Sequence, residues 1–599
     1  MDRNSAIGLT LIAALLLAYF YFFSPSPAPA PVTQNPTPAA TTPLDTTRTI
    51  SEAPAANDSA LVTQYGSLAT FMSGTESVTN VENNDLAIAF SNHGNIQSLE
   101  LKNFKTYSQK QLLLVSPATN SFALSTRTGG NDIDLHDLFY HSNVQKKGDS
   151  TVVQFVANLD GGRFIQHTYV VPPAGFQVKY RLETKGMNLD NEFLTFGWID
   201  RVPLQEKDLN DSRNKTTINF FSSTGDFDGL SETSQTLETE SLTSTQWVAI
   251  RQKFFISSII AKTPFNGGEV ASNVNPADSS TVKEARVKLF IPKKEVEAGG
   301  AQFTYYFGPN DYSILPDVTE GFSRNLYLGW PPVIWVNKFL IVPIFTFLES
   351  FIGNYGLIIF ILVLIIKTFL MPLTYSSYLG MAKMRLLKPE LDVIKEKYGD
   401  NMTQIQQEQM KLYQQAGVNP FAGCIPLLLQ MPFLFAMFYF FPVSIELRQQ
   451  SFLWAEDLST YDSIINLPFT IPFYGSHVSL FVLLMTASQL VMQWQNNQVQ
   501  SVQGPMKSMG YVMPVIFMFV LNSFASGLSF YYFISNLVTF VQQAIIKRFV
   551  DEDKILRVME EHKKKIAAGG GSGKKSSFMS KLEEAMKASQ EAKEKNKRK

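Results

Sequence analysis

The stretch GLIIFILVLIIKTFLMPLTY, residues 356–375, has the apolar composition of a membrane-spanning helix but carries one charge, Lys367, near its middle. Between Ser350 and Ala382 the chain has no other charged residue. An ionised side chain at the centre of a bilayer costs about 2.5–3.5 kcal/mol even on insertion scales. The stretch therefore predicts a membrane-embedded helix in which the lysine has a structural or functional role that offsets its energetic cost.

The second half of the chain repeats this apolar composition. Its last uncharged run, residues 508–546, contains NSFASG at 522–527, which breaks the run into two helices. An uncharged run near the N-terminus, Ala6–Phe23, adds one more span. The sequence thus predicts a polytopic α-helical membrane protein of six transmembrane helices, with five in residues 351–548: 354–376, 421–441, 476–494 and a double pass over 509–546.

Residues 1–23 predict an N-terminal transmembrane anchor. APA at 28–30 resembles a processing site, so a cleaved signal peptide is the alternative, but the surrounding prolines favour a retained anchor. Residues 24–60 are rich in Pro, Ala, Thr and Ser, which predicts an extended linker between the anchor and the next domain.

Residues 61–317 consist of short alternating segments separated by Asn, Gly, Asp and Pro. Many strands with few helical patterns predict an all-β sandwich. The domain carries His93, His136, His141 and His167 in no catalytic spacing, so we expect it to be non-enzymatic. The predicted strands lie in LAIAFSNHGNIQSLELKNFK (86–105), TVVQFVANL (151–159), FIQHTYVV (164–171), FQVKYRLET (176–184), EARVKLFI (284–291) and AQFTYYFG (301–308).

Residues 325–350 predict an interfacial amphipathic helix rather than a span. Trp330 and Trp335 favour the headgroup zone of a bilayer, and Lys338 lies on the same segment.

The distribution of charge predicts the orientation in the membrane. Residues 377–420 carry six Lys and Arg, whereas 442–475 carry only Arg448 against four acidic residues. By the positive-inside rule, both termini and residues 377–420 are cytoplasmic. The β domain and residues 442–475 are then periplasmic.

Residues 377–420 predict a helical hairpin that projects into the cytoplasm. Apolar residues recur there at spacings of three and four, and Gly399 with Asp400 interrupts the pattern. Two antiparallel helices explain both features. The apolar positions are Met384, Leu387, Leu391, Ile394 and Tyr398, followed by Met402, Ile405 and Leu412.

Two interpretations of Lys367 stay open. It is either a buried structural lysine or a cation that faces a hydrated cavity inside the membrane. The predicted spans contain no Asp or Glu to pair with it, which favours the cavity. Polar residues on other spans are candidates to line it, although hydrogen bonding between helices explains any single one: Gln430, Tyr531, Tyr532, Ser535 and Asn536, with Gln489, Gln493, Gln542 and Gln543.

Residues 549–599 form a basic tail. From residue 547 onward the chain has sixteen Lys and Arg against nine Asp and Glu. A solvated disordered tail is one interpretation, and binding to RNA or anionic lipid is the other. The single cysteine, Cys424, excludes an internal disulfide and a cysteine metal site, and we expect no metal or cofactor.

Several long motifs resemble those of the YidC/Oxa1/Alb3 family of membrane protein insertases. The strong resemblance covers residues 325–548. The anchor, linker and β domain resemble the Gram-negative form, whose periplasmic domain is a β-supersandwich, with FSNHGNIQSLEL (90–101) as the best local trace. The motifs are MAKMRLLKPEL (381–391), YQQAGVNPFAGCIPLLLQMPFLFAMFY (413–439), SFLWAEDLS (451–459), MPVIFMF (513–519) and SGLSFYYFISNLVTFVQQ (526–543).

The resemblance implies a mechanism without covalent chemistry. Five core helices would form a groove, open to the cytoplasm and to lipid, that admits the polar tail of a nascent membrane protein. The client's apolar segment would slide into lipid along the third and fifth spans, here at Leu428, Met431, Phe435, Phe517 and Phe519.

The resemblance also implies partners. The hairpin would recruit clients, the tail would help to bind ribosomes through rRNA, and the Sec translocon would be a further partner. No small-molecule substrate is implied. The basic residues of the tail that match this role are Lys563, Lys564, Lys565, Lys597, Arg598 and Lys599.

The chain departs from its apparent relatives at Lys367, where the family commonly has arginine. Lysine keeps the charge but lacks arginine's planar fork of donors. Our hypothesis is that Lys367 keeps the groove wet and attracts acidic residues of a passing tail, less firmly than arginine would. Val363 and Ala525 are further departures, at positions where relatives can have a hydroxyl residue and proline.

Two other classes of protein fit less well. A transporter or channel predicts inverted repeats, and the two halves of the chain show none. A membrane-anchored envelope enzyme predicts clustered carboxylates and needs fewer spans. The hairpin, the basic tail, the short spans and the lone intramembrane cation favour an insertase in a bacterial inner membrane.

Overall fold

A computed structural model describes residues 65–399, 401–419, 425–499 and 505–567. The described residues form two compact units, one up to Tyr327 that includes Val443–Glu446, the other from Leu328–Pro442 and from Leu447 onward. The following parts of the sequence prediction lie outside the described residues: the anchor 1–23, the linker 24–60, Cys424, Lys597, Arg598 and Lys599, and the side chains of Leu428 and Lys565.

The first unit is built from seventeen antiparallel strands. They are β1 Val78–Glu82, β2 Leu86–Ser91, β3 Ile96–Lys105, β4 Gln111–Val115, β5 Asn120–Thr128, β6 Asn131–Asp134, β7 His141–Lys147, β8 Ser150–Leu159, β9 Arg163–Val171, β10 Gln177–Lys185, β11 Phe193–Pro203, β12 Thr217–Ser222, β13 Phe227–Gly229, β14 Glu238–Arg251, β15 Phe255–Asn273, β16 Thr281–Pro292 and β17 Ala301–Pro309. Two short helices accompany them, α1 Leu209–Asn214 and α2 Lys293–Glu297.

The strands form two sheets. A four-stranded sheet has the order β1-β2-β3-β4, and the larger sheet follows β6-β5-β11-β16-β15-β17-β10-β9-β8-β7, with β14 paired to β15 and β12 placed between β13 and β14. Strands such as β10 alternate buried and exposed side chains, as the period-2 pattern requires. Buried residues of both sheets share one core, including Phe90, Val178 and Leu289. The predicted all-β sandwich and its quoted strands are confirmed.

The second unit is mainly helical. A short β-hairpin of β18 Ile465–Ile471 and β19 Gly475–Val478 lies between two of its helices. The helices are α3 Pro331–Glu349, α4 Tyr355–Phe369, α5 Met371–Leu386, α6 Lys388–Tyr398, α7 Met402–Gln415, α8 Ile425–Phe440, α9 Leu480–Val499, α10 Pro505–Leu521, α11 Ser526–Phe549 and α12 Glu552–Ala567.

The predicted span 354–376 is two helices, not one. α4 ends at Phe369, and α5 leaves it at an angle of 61°. Pro372, the second residue of α5, has no N–H to continue the helical hydrogen bonds, and Leu370 forms the junction. Lys367 is therefore not in the middle of a straight span but in the last turn of α4.

Among the described residues, few helices are long and apolar enough to cross a membrane alone. Pro331–Glu349 is the one that qualifies, and the bent pair α4 and α5 makes a second if it counts as one span. The apolar parts of α8 and α10, Gln430–Phe440 and Met509–Leu521, are shorter. The six-span topology and the interfacial placement of 325–350 stay predictions.

The helices α6 and α7 occupy the predicted hairpin, although α5 already runs through its predicted first residue, 377. Gly399 ends α6 with a φ of 52°, a left-handed conformation that favours glycine. The basic tail begins with α12, whose Ile555 and Met559 pack into the apolar face of the hairpin and of α5.

One carboxyl of the sandwich is completely buried. Asp200 lies on β11 opposite Asn120 of β5, and its side chain is 0% exposed. Burial raises the pKa of Asp200 to about 8, although the Asn120 side chain acts in the opposite direction. The folded protein therefore holds this carboxyl protonated at neutral pH.

Replacing Asp200 with asparagine should remove a pH dependence of stability. Between about pH 4 and the folded pKa of about 8, the unfolded state loses this proton and the folded state keeps it, so stability falls as pH rises, by up to about 1.4 kcal/mol per unit. We expect Asp200→Asn to stabilise the sandwich at pH 7 and to match wild type near pH 4. Urea unfolding followed by tryptophan fluorescence at several pH values measures this difference.

The matched control is Asp149→Asn, since Asp149 is exposed at the turn between β7 and β8. It should leave the pH profile unchanged. Parallel profiles for Asp200→Asn and wild type would contradict a buried, protonated Asp200.

Candidate functional site

Lys367 lies in the last turn of α4 with its side chain inside the helical unit. The residue is 7% exposed. Its ammonium donates hydrogen bonds to Gln430 Oε1 of α8 at 3.1 Å and to Thr539 Oγ1 of α11 at 3.0 Å. The negative end of the α4 dipole lies in the same turn and also favours a cation there. The lysine thus joins three apolar helices at one point.

The two residues that accept hydrogen bonds from Lys367, Gln430 and Thr539, both contact Ser535 of α11. The amide of Gln430 lies 3.4 Å from Ser535 Oγ, and Thr539 Oγ1 donates to the Ser535 carbonyl at 2.8 Å. Gln542 continues the contact, because its amide donates to the Lys367 carbonyl at 2.9 Å. We call Lys367, Gln430, Ser535, Thr539 and Gln542 the polar cluster.

The polar cluster owes its assembly to the helical period. Ser535, Thr539 and Gln542 are spaced by four and three residues, so they lie on one face of α11. That face includes buried Leu528 and Ile546. Sequence analysis missed Thr539 and treated Gln542 as one amide among several, although the stripe of polar residues at helical spacing was a readable signal.

The structure divides the six predicted groove residues. It brings Lys367, Gln430 and Ser535 together. Tyr531, 1% exposed, packs its ring 6.0 Å from that of Phe441. Tyr532 packs against the apolar contact between α9 and α10, and Asn536 donates to Ser488 Oγ of α9 at 2.8 Å. These three residues are outside the polar cluster.

The polar cluster can hold a positive charge in an apolar setting. Burying an ammonium is unfavourable unless hydrogen-bond acceptors replace the lost water. Within the described part of the chain, two oxygens accept from the ammonium and no carboxylate pairs with it. The third ammonium proton is available to water or to a carboxylate.

Four of the predicted slide residues have side chains that the structure describes, and each is at least partly exposed on α8 or α10. Phe517 and Phe519 of α10 are 45% and 37% exposed. Met431 and Phe435 of α8 are half-buried, and the Phe435 ring lies 6.5 Å from that of Trp330. Phe438 of α8 and Met518 of α10 both pack against a small buried cluster formed by Val482, Met485 and Leu521.

The predicted hairpin residues are mostly interior. Met384 and Leu391 are buried in a core that includes Leu412 and Met559, and Ile394 packs on its edge. Tyr398, half-buried, carries the ammonium of Lys397 over its ring at 5.4 Å.

Two ion pairs hold α12, one to α5 and one to α6 of the hairpin. Glu552 binds Arg385 at 3.3 Å, and Lys563 binds Glu390 at 2.5 Å. Lys564, on the same helix, is exposed. One of the predicted ribosome-contact lysines is therefore already paired within the chain.

Comparisons with known proteins cover nearly all of the chain. The family profile described as 60Kd inner membrane protein matches residues 347–553, and the profile described as YidC periplasmic domain matches residues 78–346. A galactose mutarotase related enzyme from Lactobacillus acidophilus aligns with 39% of this chain and 97% of its own, at 10% identity and a TM-score of 0.24, too low a similarity to support an argument.

Full-length relatives are much more similar. The membrane protein insertase YidC of Amoebophilus asiaticus is 42% identical over 98% of this chain and 99% of its own length. The membrane protein insertase YidC of Cytophaga hutchinsonii is 44% identical over 98% of both chains. Similarity at this level along both units shows the family, and the chain belongs to the YidC family of membrane protein insertases.

Proposed function

We propose that this protein inserts nascent membrane proteins into a bacterial inner membrane and assists their folding there, without covalent chemistry or a cofactor. The observation that carries the proposal is the polar cluster: a buried ammonium held by an amide and a hydroxyl among apolar helices. Such a cluster offers a polar tail a place to pass within a membrane-embedded unit. Membership of an insertase family supports the same activity.

The acceptors around Lys367 favour binding of acidic segments. Its visible partners are neutral oxygens, which do not cancel the positive charge. A carboxylate on a client's tail would gain a charge-assisted hydrogen bond from the third ammonium proton. The proposed groove, containing Lys367, Gln430 and Ser535, would then hold the tail while the next segment enters lipid.

The exposed apolar side chains of α10 support a path to lipid. Phe517 and Phe519 are large and partly exposed on α10, and Met518 between them packs against the same buried cluster as Phe438 of α8. In the proposed mechanism the client's apolar segment moves along these side chains and along Leu428, Met431 and Phe435 of α8. Burial of apolar surface against them would lower the barrier to leaving the groove.

We propose that the orientation follows the positive-inside rule, with six spans, cytoplasmic termini and hairpin, and a periplasmic β domain. Membrane lipids, the ribosome and the Sec translocon are the proposed partners. The hairpin would recruit clients with its solvent-facing side, since Met384 and Leu391 are buried in its own core.

Removing the charge at position 367 should slow insertion of acidic-tailed clients. We expect Lys367→Leu to lower the insertion rate roughly tenfold, because one charge-assisted hydrogen bond contributes about 1.5–3 kcal/mol. Lys367→Arg should retain activity. Protease protection of a radiolabelled single-span client in vesicles containing the purified protein measures insertion.

Lys338→Leu is the matched control, since Lys338 is an exposed lysine on apolar α3. A client without acidic residues in its tail provides a second control and should respond less to Lys367→Leu. Equal insertion of the acidic-tailed client by wild type and Lys367→Leu would contradict a role for the charge.

A photo-crosslinking amino acid at position 517 or 519 should capture the apolar segment of a stalled nascent client. Contact should appear only when the chain is long enough for that segment to have left the ribosome. Position 347 is the control, because Phe347 on α3 is 62% exposed but belongs to neither proposed slide helix. Crosslinks of equal strength at 347 and 517 would mean that the client meets lipid-facing side chains without a defined path.

We expect the tail to bind ribosomes mainly through its last three residues. Replacing Lys597, Arg598 and Lys599 together with glutamine should weaken co-sedimentation with ribosomes and reduce its dependence on salt, since phosphate contacts release counterions. Lys563→Gln should have a smaller effect, because Lys563 already pairs with Glu390. A larger loss from Lys563→Gln than from the triple variant would contradict this assignment.

A further inference from the structure

The β18–β19 hairpin presents large apolar side chains to its surroundings. It lies between α8 and α9, in a region with no Asp, Glu, Lys or Arg from residue 463 to residue 506. Phe469 is 61% exposed and Phe473 is 75% exposed, and Ile464 and Ile465 are about half exposed. A contiguous exposed surface of this kind indicates a binding surface rather than a solvated loop.

The backbone of this region holds apolar residues in an unfavourable conformation. Phe473 has a φ of 64°, and Leu453, in the preceding loop, has a φ of 54° and is 68% exposed. Glycine or asparagine adopts such angles at lower cost, and a bulky residue there is an outlier. The Phe473 side chain is 75% exposed in spite of the cost of this backbone conformation.

The turn and second strand of the β18–β19 hairpin are fixed to the residue that follows α10, and Asp462, just before the hairpin, is bound to α9. The amide of Asn522, which is 0% exposed, donates to the carbonyls of Tyr474 at 2.9 Å and His477 at 2.8 Å. Asp462 accepts from the backbone N–H of Leu480 at 2.8 Å and so caps α9. The exposed residues Phe469 and Phe473 therefore belong to a hairpin that is held in place at its turn and at its second strand.

The apolar surface of the hairpin continues onto α10. The ring of Tyr474 lies 5.3 Å from that of Phe519, a partly exposed residue near the end of α10. Val515 and Val512, further along α10, are 39% and 51% exposed. The medium that contacts the outer face of α10, whether water or lipid, therefore contacts the β18–β19 hairpin as well.

If that medium is lipid, the backbone of the β18–β19 hairpin indicates a position at the headgroup boundary and not at the hydrocarbon centre. The pairing of the two strands is irregular, because its register shifts between Asn466 and Ile471, so the residues between these two positions are not matched one to one across the hairpin. Unpaired backbone groups exclude the hydrocarbon centre of a bilayer but not its headgroup boundary. Pro468 and Pro472 lack an N–H, which reduces the number of donors that must be satisfied.

We propose that residues 464–474 insert their apolar side chains into the headgroup boundary of the lipid leaflet that surrounds the start of α9 and the end of α10. The occupant is lipid, because the tip offers no charge and its surface is continuous with α10. This inference rests on the proposed placement of α9 and α10 in the membrane. It assigns the hairpin a membrane-anchoring role.

Spin labels test the proposal in the whole protein. In a Cys424→Ser background, Phe469→Cys and Phe473→Cys carry nitroxides in vesicles of phosphatidylethanolamine and phosphatidylglycerol at 3:1. Power saturation compares collisions with oxygen, which enters lipid, and with a nickel chelate, which stays in water. Val515→Cys on α10 is the lipid control, and Leu237→Cys in the β domain, at a residue 64% exposed, is the water control.

We expect the ratio of oxygen collisions to nickel-chelate collisions at labels 469 and 473 to be severalfold higher than at the Leu237→Cys label. The same ratio should be lower than at the Val515→Cys label, which places the two labels at a shallower depth in the bilayer. Because the label at 469 is independent of the left-handed turn at 473, agreement between them excludes a local distortion as the cause. If the labels at 469 and 473 behave like the water control while the label at 515 is in lipid, the inference about the hairpin is wrong and the proposed membrane placement of α10 stands. If the label at 515 is also in water, the proposed membrane placement of α10 fails with it.

A protein partner is the competing occupant. Labels that are water-exposed in pure lipid vesicles but shielded in native membrane vesicles would identify a protein cover and overturn the lipid assignment.

Discussion

A buried ammonium must be surrounded by hydrogen-bond acceptors, and this constraint organises the helical unit. Lys367 comes from α4, Gln430 from α8 and Thr539 from α11, so satisfying one charge fixes the approach of three helices. Leaving the charge without either oxygen would cost far more than the loss of an ordinary contact between apolar helices. The polar cluster therefore sets which face of α11 points inward.

The bend after α4 belongs to the same arrangement. Because the helix ends at Phe369, Lys367 occupies its last turn, where helix carbonyls without a helical partner also accept hydrogen bonds. One such carbonyl is that of Lys367 itself, which accepts from Gln542. The buried charge, the end of α4 and the start of α5, which leads to the helical hairpin of α6 and α7, therefore depend on one another.

The features that could be predicted from the sequence are those set by local patterns of a few residues. The alternation in β10 and the break between α10 and α11 follow from local pattern, and both were predictable. The bend at Leu370 was not predicted, although Pro372 was a readable signal for it, because the apolar composition continues on both sides of the bend. The hydrogen bond from Asn536 to Ser488 was not predictable, since the face that a polar residue presents depends on the packing of several helices.

The β18–β19 hairpin escaped prediction for a related physical reason. Its apolar residues continue directly into those of α9, so composition alone does not separate an exposed turn from the beginning of a span. The distinction comes from Asp462 and Asn522, whose partners are backbone groups far away in sequence.

The direction of the hydrogen bonds in the polar cluster explains how a lysine serves at position 367. Its ammonium donates to Thr539 Oγ1, which in turn donates to the Ser535 carbonyl, and it donates to Gln430, whose amide faces Ser535 Oγ. Each bond from Lys367 through Thr539 runs away from the charge, so the dipoles are aligned to stabilise it. An ammonium has three protons to place, whereas a guanidinium has five N–H donors. Two protein oxygens therefore satisfy most of a lysine's donors and leave one for water or, in the proposed mechanism, for a client carboxylate, whereas the same two oxygens would leave most of an arginine's donors without a protein acceptor.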